Sequence, residues 1–376
     1  MPWTEQDLMS LRAEFLNLAA HPSANLSLLA RRFGISRKTA YKWVGRRGEA
    51  MTDRSRRPRT SPTRTDPGIE CLLLDVRDRF PSWGARKLRR FLIDQGADDL
   101  PAASTITAIL KRNGRISAEA SDAAQHWQRF QHDQPNDLWQ IDFKGHFPMQ
   151  HGRCHPLTVL DDCSRFDIAL RAFPGEDRAS VQSALIECFR KYGLPSRINA
   201  DNGPPWAAPL RSDSLTRLGA WLVRLQVKLS HSAPRHPQTN GKIERFHRTL
   251  KSELISRRVF KDLRNAQLAF DAYREIYNNL RPHEAIGLDT PIKRYRPSPR
   301  EFPETLPPIE YATDWIVRKV NLDGMISYKN VDYRVSDALH GEHVGLQPTD
   351  ADGVFDVYFC HHFIRRIDVR RASLAK

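Results

Sequence analysis

The spacing of apolar residues changes several times along the chain and divides it into regions of different predicted structure. Between residues 25 and 44 apolar positions recur every three or four residues. This spacing predicts two short helices separated by Gly34-Ile35, with Ser36 as the N-cap of the second. Helical spacing returns at 84–93 and at 104–112, where Asn113-Gly114 ends the helix. The N-terminal third is therefore predicted to be helical.

From about residue 136 strand-like runs appear and then alternate with helical spacing. Strands are predicted at 138–147, 156–161, 166–173, 197–200 and 227–230, and helices at 178–192, 214–226, 242–256 and 265–279. Three consecutive strands followed by this alternation indicate a mixed sheet flanked by helices. Beyond a proline-rich stretch at 297–308, five short β runs separated by turn residues predict a small β-barrel.

The chain is thus predicted to be a multidomain α+β protein. Its predicted parts are a helix-turn-helix domain at 1–49, a basic linker at 50–67, a second helical or helix-turn-helix domain at 68–115, an α/β core at 136–290 and a β-barrel at 313–368. For the second helical region, helices that only join the neighbouring domains are the alternative.

The first helical domain has the layout of a DNA-binding helix-turn-helix. Its predicted inner face consists of Leu29, Ala30, Phe33, Ile35, Ala40 and Trp43. The outer face of its second helix carries Arg37, Lys38, Tyr41 and Lys42. Because the second helix of this motif enters the major groove, we expect these four residues to contact DNA. A helical hairpin with solvated charges is the alternative.

The charge balance also favours a polyanionic partner. The chain of 376 residues has 59 basic and 44 acidic residues, which gives a net charge of +15. The excess is uneven, since residues 31–64 contain 12 Lys and Arg against Glu49 and Asp53. Such basic segments attract nucleic acid electrostatically. A protein that is merely basic is the alternative.

Three short motifs each place one carboxylate in an apolar or basic setting. They are Trp139-Gln-Ile-Asp142, Ile198-Asn-Ala-Asp201-Asn-Gly and Gly241-Lys-Ile-Glu244. Asp142 alternates with apolar strand residues, and Asp201 follows a strand end, where open α/β sheets bind ligands. Carboxylates of this kind hold magnesium, and two such ions can clamp a phosphodiester during displacement. The alternatives are a hydrogen-bonded core aspartate, a turn residue and a surface ion pair between Glu244 and Arg248.

The helix that contains Glu244 is predicted to be amphipathic. Its apolar face carries Ile243, Phe246, Leu250 and Leu254. Glu244, Arg248 and Lys251 share the opposite face, with His247 at its edge. A carboxylate flanked by cations could bind metal while the cations receive phosphates.

The remaining signals exclude several other classes of protein. The five cysteines form no Cys-x-x-Cys pair and no zinc-ligand spacing, which indicates a reducing compartment. No signal peptide and no apolar run of membrane-spanning length is present, so no membrane partner is expected. We expect a cytoplasmic protein associated with the nucleoid.

Taken in order, these motifs give the chain a recognisable pattern. It resembles the insertion-sequence transposases of the DDE, or retroviral-integrase-like, superfamily over most of its length. The resemblance is carried by Trp139-Gln-Ile-Asp142, Leu160-Asp-Asp-Cys-Ser-Arg165, Asp201-Asn-Gly203, His236-Pro-Gln-Thr-Asn-Gly-Lys-Ile-Glu244 and Tyr277-Asn-Asn-Leu-Arg-Pro-His283. It implies a ribonuclease H-like catalytic core between the helix-turn-helix domains and the barrel.

The resemblance also implies a reaction and a site. Asp142, Asp201 and Glu244 would be the catalytic, metal-holding triad of two Mg²⁺ or Mn²⁺ ions. Transposon ends would be cut by hydrolysis and their 3′-hydroxyls joined to target DNA, with at least a dimer assembled on double-stranded DNA. Lys251 matches a basic position used on the DNA end. The contacts to DNA expected from this helix are Lys242, Arg245, Arg248 and Lys251.

Two features depart from the wider superfamily. The gap between the second and third acids is 244 − 201 = 43 positions, longer than most relatives show, and the extra length is expected within 204–214. The zinc-binding His/Cys domain of retroviral integrases is absent, which disfavours that branch. Two rival functions remain at this stage, a ribonuclease H-like nuclease without strand transfer and a DNA-binding regulator without catalysis.

Overall fold

The protein divides into two compact units, residues 1–64 and residues 65–376. The computed structural model describes residues 8–50, 52–53, 65–116, 132–201, 203, 205–206, 215–231 and 241–370. The predicted basic linker at 50–67 therefore lies largely outside the described residues. None of the helices in these ranges combines the length and the apolar character needed to cross a bilayer.

In its described residues, the N-terminal unit contains three helices, α1 (Leu8–Ala19), α2 (Leu26–Arg32) and α3 (Arg37–Val44). The side chain of Asn25 caps α2, and Ser36 caps α3 by accepting a hydrogen bond from the Thr39 amide. Helices α2 and α3 were predicted, whereas α1 was not. Its Phe15 and Leu16 complete a small core with Ala30, Ala40 and Trp43.

A second helical group opens the larger unit. It consists of α4 (Pro67–Arg79), α5 (Ala85–Asp94) and α6 (Ala103–Arg112). Their shared core includes Leu73, Trp83, Leu88 and Ile106, and Ile276 and Leu280 of the central region pack against it. The helices at 84–93 and 104–112 are confirmed, and α4 adds a third helix that the periodicity did not indicate.

The central region is built on a six-stranded mixed sheet. Its strands are β1 (Trp139–Phe143), β2 (Phe147–Pro148), β3 (Arg153–Asp161), β4 (Asp167–Phe173), β5 (Arg197–Ala200) and β6 (Lys228–His231). Strands β1, β5 and β6 are parallel neighbours, whereas β3 is antiparallel to β1, β2 and β4. The predicted strand 138–147 is interrupted, because Gly145 adopts φ +79° and turns the chain before β2.

Helices cover both faces of this sheet. One face packs on α7 (Arg178–Tyr192) and α8 (Arg217–Arg224). The other face packs on α9 (Gly241–Glu253) and α10 (Leu263–Glu275). A π-helical turn at Ile276–Leu280 extends α10, and the short α11 (Pro291–Arg294) follows. The mixed sheet flanked by helices is confirmed.

The C-terminal region is a β domain with two antiparallel sheets. Strand β7 (Ile316–Lys319) joins β10 (His343–Pro348), β11 (Val354–Phe359) and β12 (His362–Asp368), and β8 (Met325–Tyr328) pairs with β9 (Val331–Arg334). Hydrogen bonds join the strands into a four-stranded and a two-stranded sheet, not into one closed ring. Both sheets share a core with Ala220 and Val223 of α8, which connects this domain to the central region.

Candidate active site on the mixed sheet

Asp142 lies near the end of β1 and shares a face of the strand with Gln140. Its side chain is 23% exposed, so the carboxylate is mostly removed from solvent. Burial raises the pKa of Asp142 to about 7, and the nearby carboxylates of Asp201, Glu176 and Glu244 add to this rise. The position therefore concentrates negative charge in a partly desolvated setting.

Asp201 directly follows β5, the parallel neighbour of β1. Gln140 pairs with Asn199 in the register of these strands. Asp142 and Asp201 each lie two residues further along, so they stand at the same level of adjacent strands. Neighbouring strands are about 4.8 Å apart. Oδ1 of Asp201 accepts a hydrogen bond from the Gly203 amide at 3.1 Å, which holds the carboxylate at the strand end.

Glu244 lies in the first turn of α9, with the faces of the helix as predicted. Ile243, Phe246 and Leu250 are buried against the sheet. The exposed face carries the acid and the basic side chains expected to contact DNA, namely Glu244, Arg245, Arg248 and Lys251. Lys144 lies two residues past Asp142. Its pKa is lowered by burial and by the nearby positive charge of Lys251. Positive charge thus borders the acidic site.

The periodicity of the sequence did not predict the positions of two residues beside the site, His247 and Lys242. His247 was placed at the edge of the polar face, but it is buried. Its Nε2 lies 3.1 Å from Thr158 Oγ1, and its Nδ1 lies 3.9 Å from Asp142 Oδ2. Burial lowers the pKa of His247 to about 3, so the imidazole is neutral and forms no ion pair with Asp142. In the sequence, only the i,i+3 spacing of His247 from Glu244 indicated that His247 lies near the site.

Lys242 has a different position from the one expected of a DNA contact. Its side chain is only 16% exposed, and its ammonium group pairs with the buried carboxylate of Asp162. Burial lowers the pKa of Lys242, and the negative charge of Asp162 partly offsets this lowering. The lysine is oriented inward because Asp162, at the end of β3, needs a cationic partner in the core.

The donor chemistry of the three acids fits a divalent hard cation. Carboxylate oxygens at the carboxyl ends of strands are typical magnesium ligands. A cation would also relieve the repulsion that raises the pKa of Asp142. Within the described ranges, no three His, Cys, Asp or Glu side chains are gathered closely enough to enclose a single ion. The expected extra length at 204–214 falls largely outside those ranges.

The helix-turn-helix residues occupy the predicted surface. Arg37, Lys38, Tyr41 and Lys42 are all exposed along α3. Lys42 lies 3.7 Å from Asp53, with its side chain 52% exposed. The outward basic face of α3 is thus present, and its binding to DNA stays a prediction.

The basic residues of α5 are directed towards the catalytic region. Arg86 pairs with Glu284, and Arg90 pairs with Asp94 and Asp289. Lys87 is half-buried, and this partial burial lowers its pKa to about 8. The charged face of this helix therefore helps to attach the second helical group to the core.

Comparison with known families matches the chain in consecutive segments. Two models of the integrase core domain match residues 132–237 and 225–291. The C-terminal domain of the IS481 family transposases matches residues 316–375. A helix-turn-helix domain matches 11–59, and a homeodomain-like domain matches 39–110. Proteins with the integrase core domain use divalent metal ions.

Individual relatives agree with these models. The chain is 28% identical over 157 residues to an insertion element IS407 protein of Burkholderia multivorans, covering 42% of this chain and 54% of the relative. It is 26% identical over 189 residues to an insertion element IS476 protein of Xanthomonas euvesicatoria, covering 50% and 47%. The chain thus spans about half the length of these curated relatives.

Among solved structures, the integrase catalytic core of HTLV-2 in complex with magnesium is similar at 19% identity and a TM-score of 0.34, covering 44% of this chain and 99% of that one. The family models and the insertion-element relatives are what identify the chain. An integrase core lies between helix-turn-helix domains and an IS481-type C-terminal domain. Together these matches support an insertion-sequence transposase of the retroviral-integrase-like superfamily.

Proposed function

We propose that this protein is a DNA transposase that cuts the ends of an insertion element and joins the exposed 3′-hydroxyls to target DNA. The main support for the proposal is that Asp142 and Asp201 lie at the same level of two adjacent parallel strands. Glu244 is close enough to contribute to the raised pKa of Asp142. Two acids at the same level of adjacent strands, with a third carboxylate near the first, support metal-dependent phosphoryl transfer as the chemistry of this integrase core.

The three carboxylates have the central role in this proposal. Asp142, Asp201 and Glu244 would hold two magnesium or manganese ions. When bound, such ions supply Lewis-acid stabilisation of the charge that develops on the phosphodiester. The sheet keeps Asp142 partly buried, with its side chain 23% exposed.

The basic groups around the site would position the DNA. Arg245, Arg248 and Lys251 lie on the exposed face of α9 beside Glu244. They are placed to receive backbone phosphates, which fix register without reading sequence. The exposed residues of α3, Arg37, Lys38, Tyr41 and Lys42, would bind the element's terminal repeats in the major groove. Two ends joined together require at least two copies of the protein on DNA.

The activity can be tested with a plasmid that carries the ends of the protein's own insertion element. We expect Asp142→Asn and Glu244→Gln to abolish both cutting and joining in Mg²⁺ while end binding is retained. Glu275→Gln, at an exposed acid on α10, is the matched control and should be active. Near wild-type cutting by either triad variant would contradict the proposal.

A pre-cut end separates the proposal from a nuclease that only hydrolyses. Such an end offers a free 3′-hydroxyl, so a transposase joins it to target DNA without prior cleavage. A protein that cuts intact ends and never joins pre-cut ones would be a ribonuclease H-like nuclease. A protein that binds ends and does neither would be a regulator.

A further inference from the structure

Asp162 is the centre of a buried polar network beside the candidate active site. It directly follows β3 and is 1% exposed. Its backbone amide donates to the Leu138 carbonyl at 3.0 Å, which anchors it next to the start of β1. Its carboxylate accepts from Gln140 Nε2 at 3.0 Å, from the His132 amide at 2.9 Å and from the ammonium group of Lys242. One buried carboxylate thus joins β1 to α9.

Gln140 makes a second connection between the same elements. It lies two residues before Asp142 on β1 and is 1% exposed. Because alternate residues share a strand face, its side chain lies on the same side as that of Asp142. Its Nε2 donates to Asp162, and its Oε1 accepts from the Ile243 amide at 3.1 Å. The amide side chain is therefore oriented by Asp162 and in turn holds the backbone of α9.

Both connections reach the first turn of the helix that carries Glu244. Lys242 and Ile243 are the two residues before Glu244 in α9. The amides of a first turn have no intrahelical partner, so a side-chain acceptor fixes the position of the helix end. The Ile243 amide donates to Gln140 Oε1 on β1, and the Lys242 ammonium group pairs with the Asp162 carboxylate.

We propose that Gln140, Asp162 and Lys242 are positioning residues that set the placement of Glu244 relative to Asp142. The proposal rests on the proposed function of the triad. None of the three contacts the reacting atoms; they join the strand of the first acid to the turn of the third. A slide of one residue along a helix axis is 1.5 Å, and each residue turns the helix by 100°. Loss of the connection between β1 and α9 would therefore displace the Glu244 carboxylate from the other two acids.

The experiment removes each connection and compares it with a matched one elsewhere. Gln140→Leu removes the glutamine bridge between β1 and α9. Gln267→Leu removes a similar bridge, in which Gln267 Oε1 accepts from the Ala172 amide at 2.9 Å and Nε2 donates to the Leu170 carbonyl at 3.1 Å. Lys242→Met removes the positive charge that pairs with Asp162, and Lys242→Arg keeps a positive charge there. All are made in the full chain.

Three measurements are made on each variant: the unfolding temperature, the affinity and salt dependence of end binding, and Mn²⁺ binding followed by electron paramagnetic resonance of the free ion. Joining of a pre-cut end is then measured at saturating DNA. We expect Gln140→Leu and Lys242→Met to weaken Mn²⁺ binding and slow joining about 10–100-fold, the usual cost of losing an outer-shell partner. End binding should be unchanged, and Lys242→Arg should restore part of the loss.

The control separates positioning from stability. Gln267→Leu should lower the unfolding temperature by an amount similar to Gln140→Leu and leave Mn²⁺ binding and the joining rate near wild type. The proposal is overturned if both Leu variants affect Mn²⁺ binding equally. It is also overturned if Lys242→Met weakens end binding and makes its salt dependence shallower, because that result identifies a phosphate contact. Joining by Asp142→Asn at the wild-type rate would instead overturn the proposed function.

Discussion

Arg281 forms a bidentate ion pair with Glu253 at the C-terminal end of α9. Its Nε and NH2 groups lie 3.0–3.2 Å from the two carboxylate oxygens. The side chains are 8% and 10% exposed, so the pair is almost fully desolvated. Ser82, in the turn between α4 and α5, donates to the same carboxylate at 2.9 Å. The pair therefore connects α9, the residues after the π-helical turn and the second helical group.

Breaking this pair from one side should destabilise the catalytic region strongly. We expect Arg281→Met or Glu253→Gln to lower the free energy of unfolding by about 3–5 kcal/mol, because each leaves a buried charge without its partner. The double variant should recover part of the loss, since no uncompensated charge remains. Denaturant unfolding followed by tryptophan fluorescence measures these differences.

The exposed pair Arg190–Glu304 provides the comparison. Its side chains are 55% and 64% exposed and 2.7 Å apart, so both remain solvated when the pair is broken. Glu304→Gln should leave the unfolding midpoint unchanged. A loss for Arg281→Met no larger than that for Glu304→Gln would show that the buried pair is not stabilising.

Asp167 should make stability depend on pH. It is fully buried, and both carboxylate oxygens lack a hydrogen-bond partner within the described part of the chain. Burial raises the pKa of Asp167 to about 7, although Arg274 opposes the rise. Between the ordinary pKa of an aspartate and about 7, the folded state binds the proton and the unfolded state does not. Stability therefore falls as pH rises through this window.

The change to test is Asp167→Asn, which cannot ionise. We expect the free energy of unfolding of the wild type to fall relative to the variant from about pH 4 to pH 7 and to level off above that. Urea unfolding of both proteins at several pH values measures the difference. A difference that is constant with pH would show that Asp167 has the same pKa in the folded and unfolded states.

Arg86 and Arg90 of α5 should contribute to docking and not to DNA binding. Both are paired with acids of the catalytic region, Glu284 and Asp289. Replacement of both by Ala should speed amide hydrogen exchange in α5 while the salt dependence of DNA binding stays the same. A shallower salt dependence would instead identify these arginines as phosphate contacts.

The contrast between α3 and α5 shows where sequence reasoning succeeded and where it stopped. Both helices carry runs of basic residues, and periodicity located both. For α3 the outward face was predicted correctly, because local caps and apolar spacing define it. For α5 the acidic partners come from residues almost 200 positions away, as in Arg90 with Asp289. No local pattern contains such pairings.

The site follows the same rule. Asp142, Asp201 and Glu244 stood out because each acid interrupts a local apolar pattern or ends a strand. The orientation of Lys242 and the burial of His247 could not be predicted, since Asp162 and Thr158 face them only through the register of β3 against β1. The helices α1 and α4 were not predicted as separate elements, although apolar residues such as Leu73 and Val76 of α4 recur at helical spacing.

Lys38 and Arg46 should separate DNA binding from stability in the N-terminal unit. Lys38 is exposed on α3, whereas the Arg46 guanidinium lies 4.7 Å from the Trp43 ring centroid and donates to Glu49 at 3.0 Å. We expect Lys38→Ala to weaken end binding and reduce the slope of log affinity against log salt by about 1. Arg46→Ala should instead lower the unfolding temperature of the unit, with the slope unchanged. Fluorescence anisotropy with labelled terminal repeats at several salt concentrations, together with thermal unfolding, distinguishes them. An unchanged slope for Lys38→Ala would show that Lys38 of α3 does not contact the DNA phosphates.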